Sequence, residues 1–282
     1  MMSETPKSHS TKLRWITGLL LGLPLLACVV SGPLWIGPAI VCLAVSIGLW
    51  ELHGLLFDSP LPWKWSLLSF GVGLIFPTLT FAWGITGINC ALIISFFSAL
   101  SLMLLLAPLE RDEIGRIATL YFAWLYVPYL LSFVILIWAK SNGRFWILFL
   151  LAVIVSGDSG AYFTGRKVGS RKLYPAVSPK KTVEGALGGL CSSLVTGTVL
   201  GLIFFRQVPL WSLCIFSLAA ALAGQVGDLV ESMIKRNAGK KDSSSLLPGH
   251  GGLLDRLDSL LFAFPVLWAL LQLSGAGHAG WF

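Results

Sequence analysis

Between Ser232 and Asp258 the chain reads S-M-I-K-R-N-A-G-K-K-D-S-S-S-L-L-P-G-H-G-G-L-L-D-R-L-D, a polar connection between two apolar segments. Cations, carboxylates and glycines in one short stretch suit a phosphorylated ligand held through a divalent metal. Mg²⁺ takes one or two carboxylates and completes its shell with phosphate oxygens and water. Asp228, Glu231, Ser232 and Lys235 follow at i, i+3, i+4 and i+7, which is one face of a helix. Asp255 and Asp258, at i and i+3, share a face of the next helix. Such acids can simply pair with Arg236, Lys240 or Arg256. Two sets flanking one Gly-rich loop favour cation binding instead.

Three other motifs carry similar chemistry. Ser178-Pro179-Lys180-Lys181-Thr182 reads as a helix N-cap, a proline at the first helical position and two lysines in the first turn. Cations there oppose the helix dipole. The placement becomes sensible if an anion sits at that N-terminus, on free backbone N–H groups and both ammonium groups. In Pro248-Gly249-His250-Gly251-Gly252 the glycines let backbone amides approach a phosphate. His250 can donate to a phosphate oxygen or be structural, with nothing in the sequence to separate the two. Asp158, in Ser156-Gly157-Asp158-Ser159-Gly160-Ala161-Tyr162, lies in the last turns of an apolar helix, where a carboxylate is costly unless paired or metal-linked. It is expected to face the same cavity.

The elements that position these residues must lie in lipid. Of 282 residues, 56% are hydrophobic and 12% charged, whereas a soluble domain carries about 25% charged residues. Mean hydropathy is +0.82. Long apolar runs recur along the chain and predict an all-α, polytopic integral membrane protein. About nine transmembrane helices are expected, over 15–31, 33–56, 65–83, 85–107, 117–138, 145–164, 185–205, 210–231 and 255–274, with tight turns near Ser31-Gly32-Pro33 and Gly84. A cytoplasmic N-terminus leaves only Lys140, Arg144 and Arg206 of the 20 Lys and Arg on the far side. All four polar motifs then fall on the cytoplasmic face, at the ends of the last four spans. The first span is read as an uncleaved anchor rather than a cleaved leader.

Residues 1–138 form an N-terminal membrane part facing lipid or a second subunit, and 139–282 the catalytic part. Glu51 and His53 are the polar oddities of the first part, expected to snorkel or hydrogen-bond locally. The net charge of +7 answers to topology and anionic headgroups; no basic soluble domain is present to bind nucleic acid. Cys28, Cys42, Cys90, Cys191 and Cys214 sit singly in apolar runs and read as small hydrophobes.

The run Ser232-x-x-Lys235-Arg236-(four residues)-Lys241-Asp242-x-Ser244-(two residues)-Leu247-Pro248-x-His250-Gly251-Gly252-x-x-Asp255-Arg256-x-Asp258 resembles the signature of the phosphatidate cytidylyltransferases, the CDP-diacylglycerol synthases. The S-P-K-K-T-x-E-G and D-S-G-A-Y runs resemble that family too. The resemblance implies a nucleotidyltransferase converting CTP and phosphatidate to CDP-diacylglycerol and diphosphate. It implies phospholipid biosynthesis at the cytoplasmic face of a bacterial inner membrane, among membrane lipids, and it admits a homodimer. It also implies Mg²⁺ on Asp228 and Asp255, and admits a K⁺ ion beside it.

The residues agree with that chemistry. A phosphate monoester already carries about −1.5 to −2 charge near neutrality, so it needs no strong base to become a nucleophile. The obstacle is repulsion between two anions, which a metal and Lys/Arg side chains relieve. Asp228 and Asp255 are assigned to Mg²⁺, with Asp258 beside it or on a second cation. Lys235, Arg236, Lys241, His250 and Arg256 are assigned to the reacting phosphates. Ser178, Lys180, Lys181, Thr182, Ser232, Gly251 and Gly252 are assigned to substrate binding. Two rivals make different predictions. A CTP-using lipid kinase would transfer the γ-phosphoryl group and release CDP, whereas a transporter would place charges near mid-membrane on broken helices.

Overall fold

The computed structural model describes residues 22–24, 26–105, 111–247, 249 and 251–276, without the side chains of residues 111 and 112. Seven of its helices are long and apolar enough to cross a membrane: α1 (Ile36–Leu56), α2 (Trp63–Leu105), α3 (Glu113–Trp138), α4 (Gly143–Val168), α5 (Val183–Phe204), α6 (Leu210–Asn237) and α7 (Leu254–Ser274). A shorter apolar helix, Gly22–Ser31, precedes them. The expected span 15–31 therefore lies partly outside the described residues. Apolar side chains point outward along the helices: Leu43, Val155, Val195 and Ile203 are all more than half exposed. Water would not tolerate so continuous an apolar surface, and lipid does.

The two expected spans 65–83 and 85–107 appear as the single element α2, broken at Gly84 (φ 59°, ψ −132°). A Cβ on Gly87 would fall within 1.9 Å of the Leu79 carbonyl oxygen. A continuous helix would hold residues eight apart at about 12 Å, so the chain doubles back there. Gly84 permits the positive φ that this reversal needs. Helix α3 carries a π turn at Leu125–Tyr129 around Pro128. Proline removes one backbone donor, and the widened turn takes up the break.

Helices α4 and α5 approach through small residues. A Cβ on Gly160 would meet Ser192 at 2.5 Å, and one on Gly188 would meet Thr164 at 2.2 Å. Within lipid, where apolar burial no longer drives association, such close backbone contact supplies the packing energy. The glycines of the 156–162 motif thus serve helix packing and leave Asp158 to the chemistry.

Between α4 and α5 the chain forms a hairpin, β1 (Lys172–Tyr174) antiparallel to β2 (Ser178–Thr182). This corrects the expectation that Ser178 caps a helix containing Lys180 and Lys181. The cap is Thr182, whose Oγ1 accepts from the Gly185 amide at 3.1 Å. The Val183 amide still reaches back to the Arg171 carbonyl at 2.9 Å, so the helix cannot begin earlier. Pro179 is tolerated because a two-stranded ribbon has only edge strands. The lysines therefore precede the helix and do not oppose its first turn.

The charged residues sort to two ends of the bundle. At one end Arg144 donates to the carbonyls of Val30 and Gly32, and Lys140 Nζ lies 3.1 Å from Gln272 Oε1. At the other end meet the C-termini of α1, α4 and α6, the N-termini of α5 and α7, and the hairpin.

Candidate active site

The C-terminal turns of α6 carry Asp228, Glu231, Ser232 and Lys235 on one face, and the hairpin lies across it. Lys181 Nζ is 2.5 Å from Asp228 Oδ2, and Ser232 Oγ approaches Asp228 Oδ1 at 3.4 Å. Asp228, Lys180, Lys181, Thr182 and Asp158 line one cavity of about 400 Å³ with Tyr162, Arg166 and Gln225. Asp158 thus shares a cavity with Asp228 and the hairpin lysines, a cavity that Lys235, Asp255 and Asp258 do not line. Asp158, Asp228 and Asp258 are near enough to repel one another. Asp258 Oδ1 accepts from the Ser259 amide at 2.6 Å. A Cβ on Gly227 would stand 2.5 Å from the Asp258 carbonyl oxygen, so only glycine lets α6 and α7 bring these acids together.

A second pair lies about two turns further along α6. Lys235 Nζ is 2.6 Å from Asp255 Oδ1 and 3.2 Å from Glu231 Oε2. The Glu231 approach is an ion pair without hydrogen-bond geometry: both Glu231 oxygens are buried with no hydrogen-bond partner among the described residues, as is the Tyr126 hydroxyl. The other oxygen of Asp255, Oδ2, accepts from the Ser243 amide (2.9 Å), Ser243 Oγ (3.0 Å) and the Gly252 amide (2.8 Å). These contacts fix its carboxylate at the first turn of α7.

Arg236 does not face the carboxylates. Its Nε reaches the Val177 carbonyl at 3.4 Å and its Nη1 the Lys240 carbonyl at 2.9 Å, tying α6 to the hairpin and the loop. Lys240 Nζ donates to the Gly54 carbonyl at 2.6 Å. Lys241 and Arg256 are exposed. Ser178 opens β2 opposite Tyr174, while the Thr182 hydroxyl is engaged as a cap. Gly251 takes φ +81°, and His250 lies outside the described residues.

One participant was misread from the sequence. Glu51, 2% exposed, neither snorkels nor bonds locally. It accepts from Ser243 Oγ (3.1 Å), Ser244 Oγ (2.6 Å), the Leu253 amide (2.8 Å) and the Leu254 amide (2.7 Å). The signal was its cost: a carboxylate inside an apolar helix must find partners from elsewhere in the fold. His53, also on α1, instead shares a hydrogen bond with Ser69 Oγ at 3.0 Å, which also accepts from Trp124 Nε1 at 2.9 Å.

The arrangement thus has carboxylates on four helices, α1, α4, α6 and α7, two ammonium groups drawn against them, and a cavity that Arg166 and Lys180 also line. Such a site suits a polyanion brought in with a cation.

The sequence matches the cytidylyltransferase family over residues 12–274. The chain belongs to that family. It is similar to the phosphatidate cytidylyltransferase of Staphylococcus saprophyticus, 46% identical over 141 residues, which cover 50% of this chain and 54% of that protein. It is 49% identical to the phosphatidate cytidylyltransferase of Bacillus subtilis over 131 residues, covering 46% of this chain and 49% of that one. The chain therefore spans about half the length of the curated relatives it matches.

Asp228 and Asp255 are the carboxylates that could each take a cation. Asp228 and Asp255 each hold an ammonium at 2.5–2.6 Å, a position that favours positive charge, and the buried Glu231 oxygens lack hydrogen bonds. All the donors are hard oxygens. Among the described residues, no group of three or more His, Cys, Asp or Glu is placed so as to hold a metal ion by itself.

Proposed function

We propose that this chain is a phosphatidate cytidylyltransferase. A phosphate oxygen of phosphatidate attacks the α-phosphorus of CTP, the α–β anhydride bond breaks, and diphosphate departs with the displaced electron pair. The products are CDP-diacylglycerol and diphosphate. The reading rests first on the two lysine–carboxylate pairs, Lys181–Asp228 and Lys235–Asp255, set at one end of the bundle, the first of them lining a cavity. Family membership and the names of its relatives support it.

Asp228 and Asp255 would hold Mg²⁺, with Asp258 and Glu231 beside it and K⁺ as a second cation. The bound ion supplies charge neutralisation at the attacked phosphoryl group and the leaving diphosphate. Lys180 and Lys181, on the strand lining the cavity, draw phosphate oxygens inward. Lys235 keeps Asp255 oriented and offers its charge to the departing group. Arg236 holds hairpin and loop together, so that both cation sets face the same substrate. Lys241 and Arg256, both exposed, meet phosphate, and His250 and Gly251 contribute donors from the loop, while the Gly252 amide stays on Asp255. No covalent enzyme intermediate is needed, because the nucleophile arrives already ionised.

The excess of Lys and Arg at the site end supports a cytosolic active face with a cytosolic N-terminus, in a bacterial inner membrane. The two limbs of α2, counted separately, and the short apolar helix Gly22–Ser31 support nine spans. Diphosphate release from CTP tests the reading. It should require phosphatidate and stop when diacylglycerol, which lacks the phosphate nucleophile, replaces it. Equal release with both lipids would overturn it.

A further inference from the structure

We infer that Glu51, in the N-terminal half of the chain, is a positioning residue for the reaction, acting on Asp255 through the loop that precedes α7. The inference rests on the reaction proposed above. Glu51 is held by helix α1, whereas its four donors, Ser243, Ser244, Leu253 and Leu254, belong to the connection between α6 and α7. Two of the donors are amides at the start of α7, which have no partner within that helix. A carboxylate there also meets the positive end of the helix dipole. The other two donors are the serine hydroxyls that begin the return of the loop.

Ser243 links the two carboxylates. Its Oγ lies 3.1 Å from Glu51 Oε2 and 3.0 Å from Asp255 Oδ2, and its amide donates to the same Asp255 oxygen at 2.9 Å. A hydroxyl has one proton, which serves one carboxylate at a time, so the amide fixes Asp255 while Glu51 fixes the serine. Space enforces the arrangement. A Cβ on Gly252 would stand 2.0 Å from Ser243 Oγ and 2.5 Å from Glu51 Oε1, and the Gly252 amide is the third donor to Asp255 Oδ2. Every donor to that oxygen thus belongs to a residue packed on Glu51.

Glutamine cannot replace it. Each Glu51 oxygen takes one serine hydroxyl and one backbone amide: Ser244 and Leu253 at Oε1, Ser243 and Leu254 at Oε2. Whichever way a glutamine turns, its NH₂ confronts a backbone N–H. A serine can rotate to accept, but an amide cannot.

Three measurements on Glu51→Gln test this. In metal-free protein, hydrogen exchange of residues 243–254 should quicken by at least about tenfold, the effect of losing one charge-assisted hydrogen bond, while α3 and α5 stay unchanged. The half-activating Mg²⁺ concentration should rise by about the same factor, and KM for CTP should stay within about twofold. Unchanged exchange in that segment, or an unchanged Mg²⁺ requirement, overturns the inference. Should Glu51→Gln not fold, Ser244→Ala removes a single donor and should move both readouts about threefold; no movement there is equally decisive. Ser69→Ala, which breaks the buried His53 and Trp124 contacts instead, should leave the Mg²⁺ requirement alone. An equal shift in that variant makes the effect merely structural and overturns the inference. The exchange result stands apart from turnover, so a wild-type chain that makes no CDP-lipid refutes the proposed reaction while the coupling of Glu51 to the loop is still judged.

Discussion

Replacing Lys235 with methionine isolates the electrostatics of the site. Its ammonium lies between Asp255 Oδ1 at 2.6 Å and Glu231 Oε2 at 3.2 Å, and the three side chains are 9%, 6% and 1% exposed. Methionine keeps most of the volume and removes the charge. Asp255 would still hold three donors on its other oxygen, whereas Glu231 would keep none. Breaking a buried pair by deleting one partner costs about 3–5 kcal/mol, because the remaining charge is stranded. The loss should fall mainly on Glu231, so Lys235→Met/Glu231→Gln should regain about half of it. The assay is SDS-titrated unfolding in mixed micelles with EDTA present, followed by tryptophan fluorescence. A loss below about 1 kcal/mol, the range of an exposed ion pair, would refute the picture of a buried bridge.

Other outcomes follow from the same geometry. Asp255→Asn should abolish turnover while the protein stays folded and membrane-inserted; near-normal activity at saturating Mg²⁺ removes Asp255 from the metal assignment. Gly227→Ala should destabilise by about 1–3 kcal/mol through overpacking and lower activity, because the added methyl meets the Asp258 carbonyl; thermal unfolding and turnover check both. Lys181→Ala should weaken CTP or phosphatidate binding at least about tenfold by removing a cation from the cavity, read as a rise in KM. EDTA should abolish activity and added Mg²⁺ restore it, whereas full activity in EDTA excludes the ion from the reaction.

Much of this was legible in the sequence because lipid imposes simple rules. Apolar runs mark the helices, and the distribution of Lys and Arg separates one bundle end from the other. The i, i+3, i+4, i+7 spacing put Asp228 and Lys235 on one face, and the structure holds them there. What escaped were choices between local alternatives and contacts across the chain. Ser178-Pro179 looks like a helix start, and only the pairing of β2 with β1 moves the cap to Thr182. The glycines around Asp158 had no reading of their own in the sequence, and their neighbours on α5 show them to be packing surfaces. Glu51 stands about 190–200 residues from its donors, and no pattern within α1 points to them. Its isolation among apolar residues signalled a partner without saying where.

The most direct test of the whole account is the fate of two labels in one reaction. Purified protein would be given phosphatidate, Mg²⁺ and CTP labelled separately at the α- and γ-phosphorus. The account predicts α-label in the chloroform-soluble lipid and γ-label in water-soluble diphosphate, in equal amounts. γ-Label in the lipid with α-label in CDP would instead establish phosphoryl transfer, and would contradict attack at the α-phosphorus.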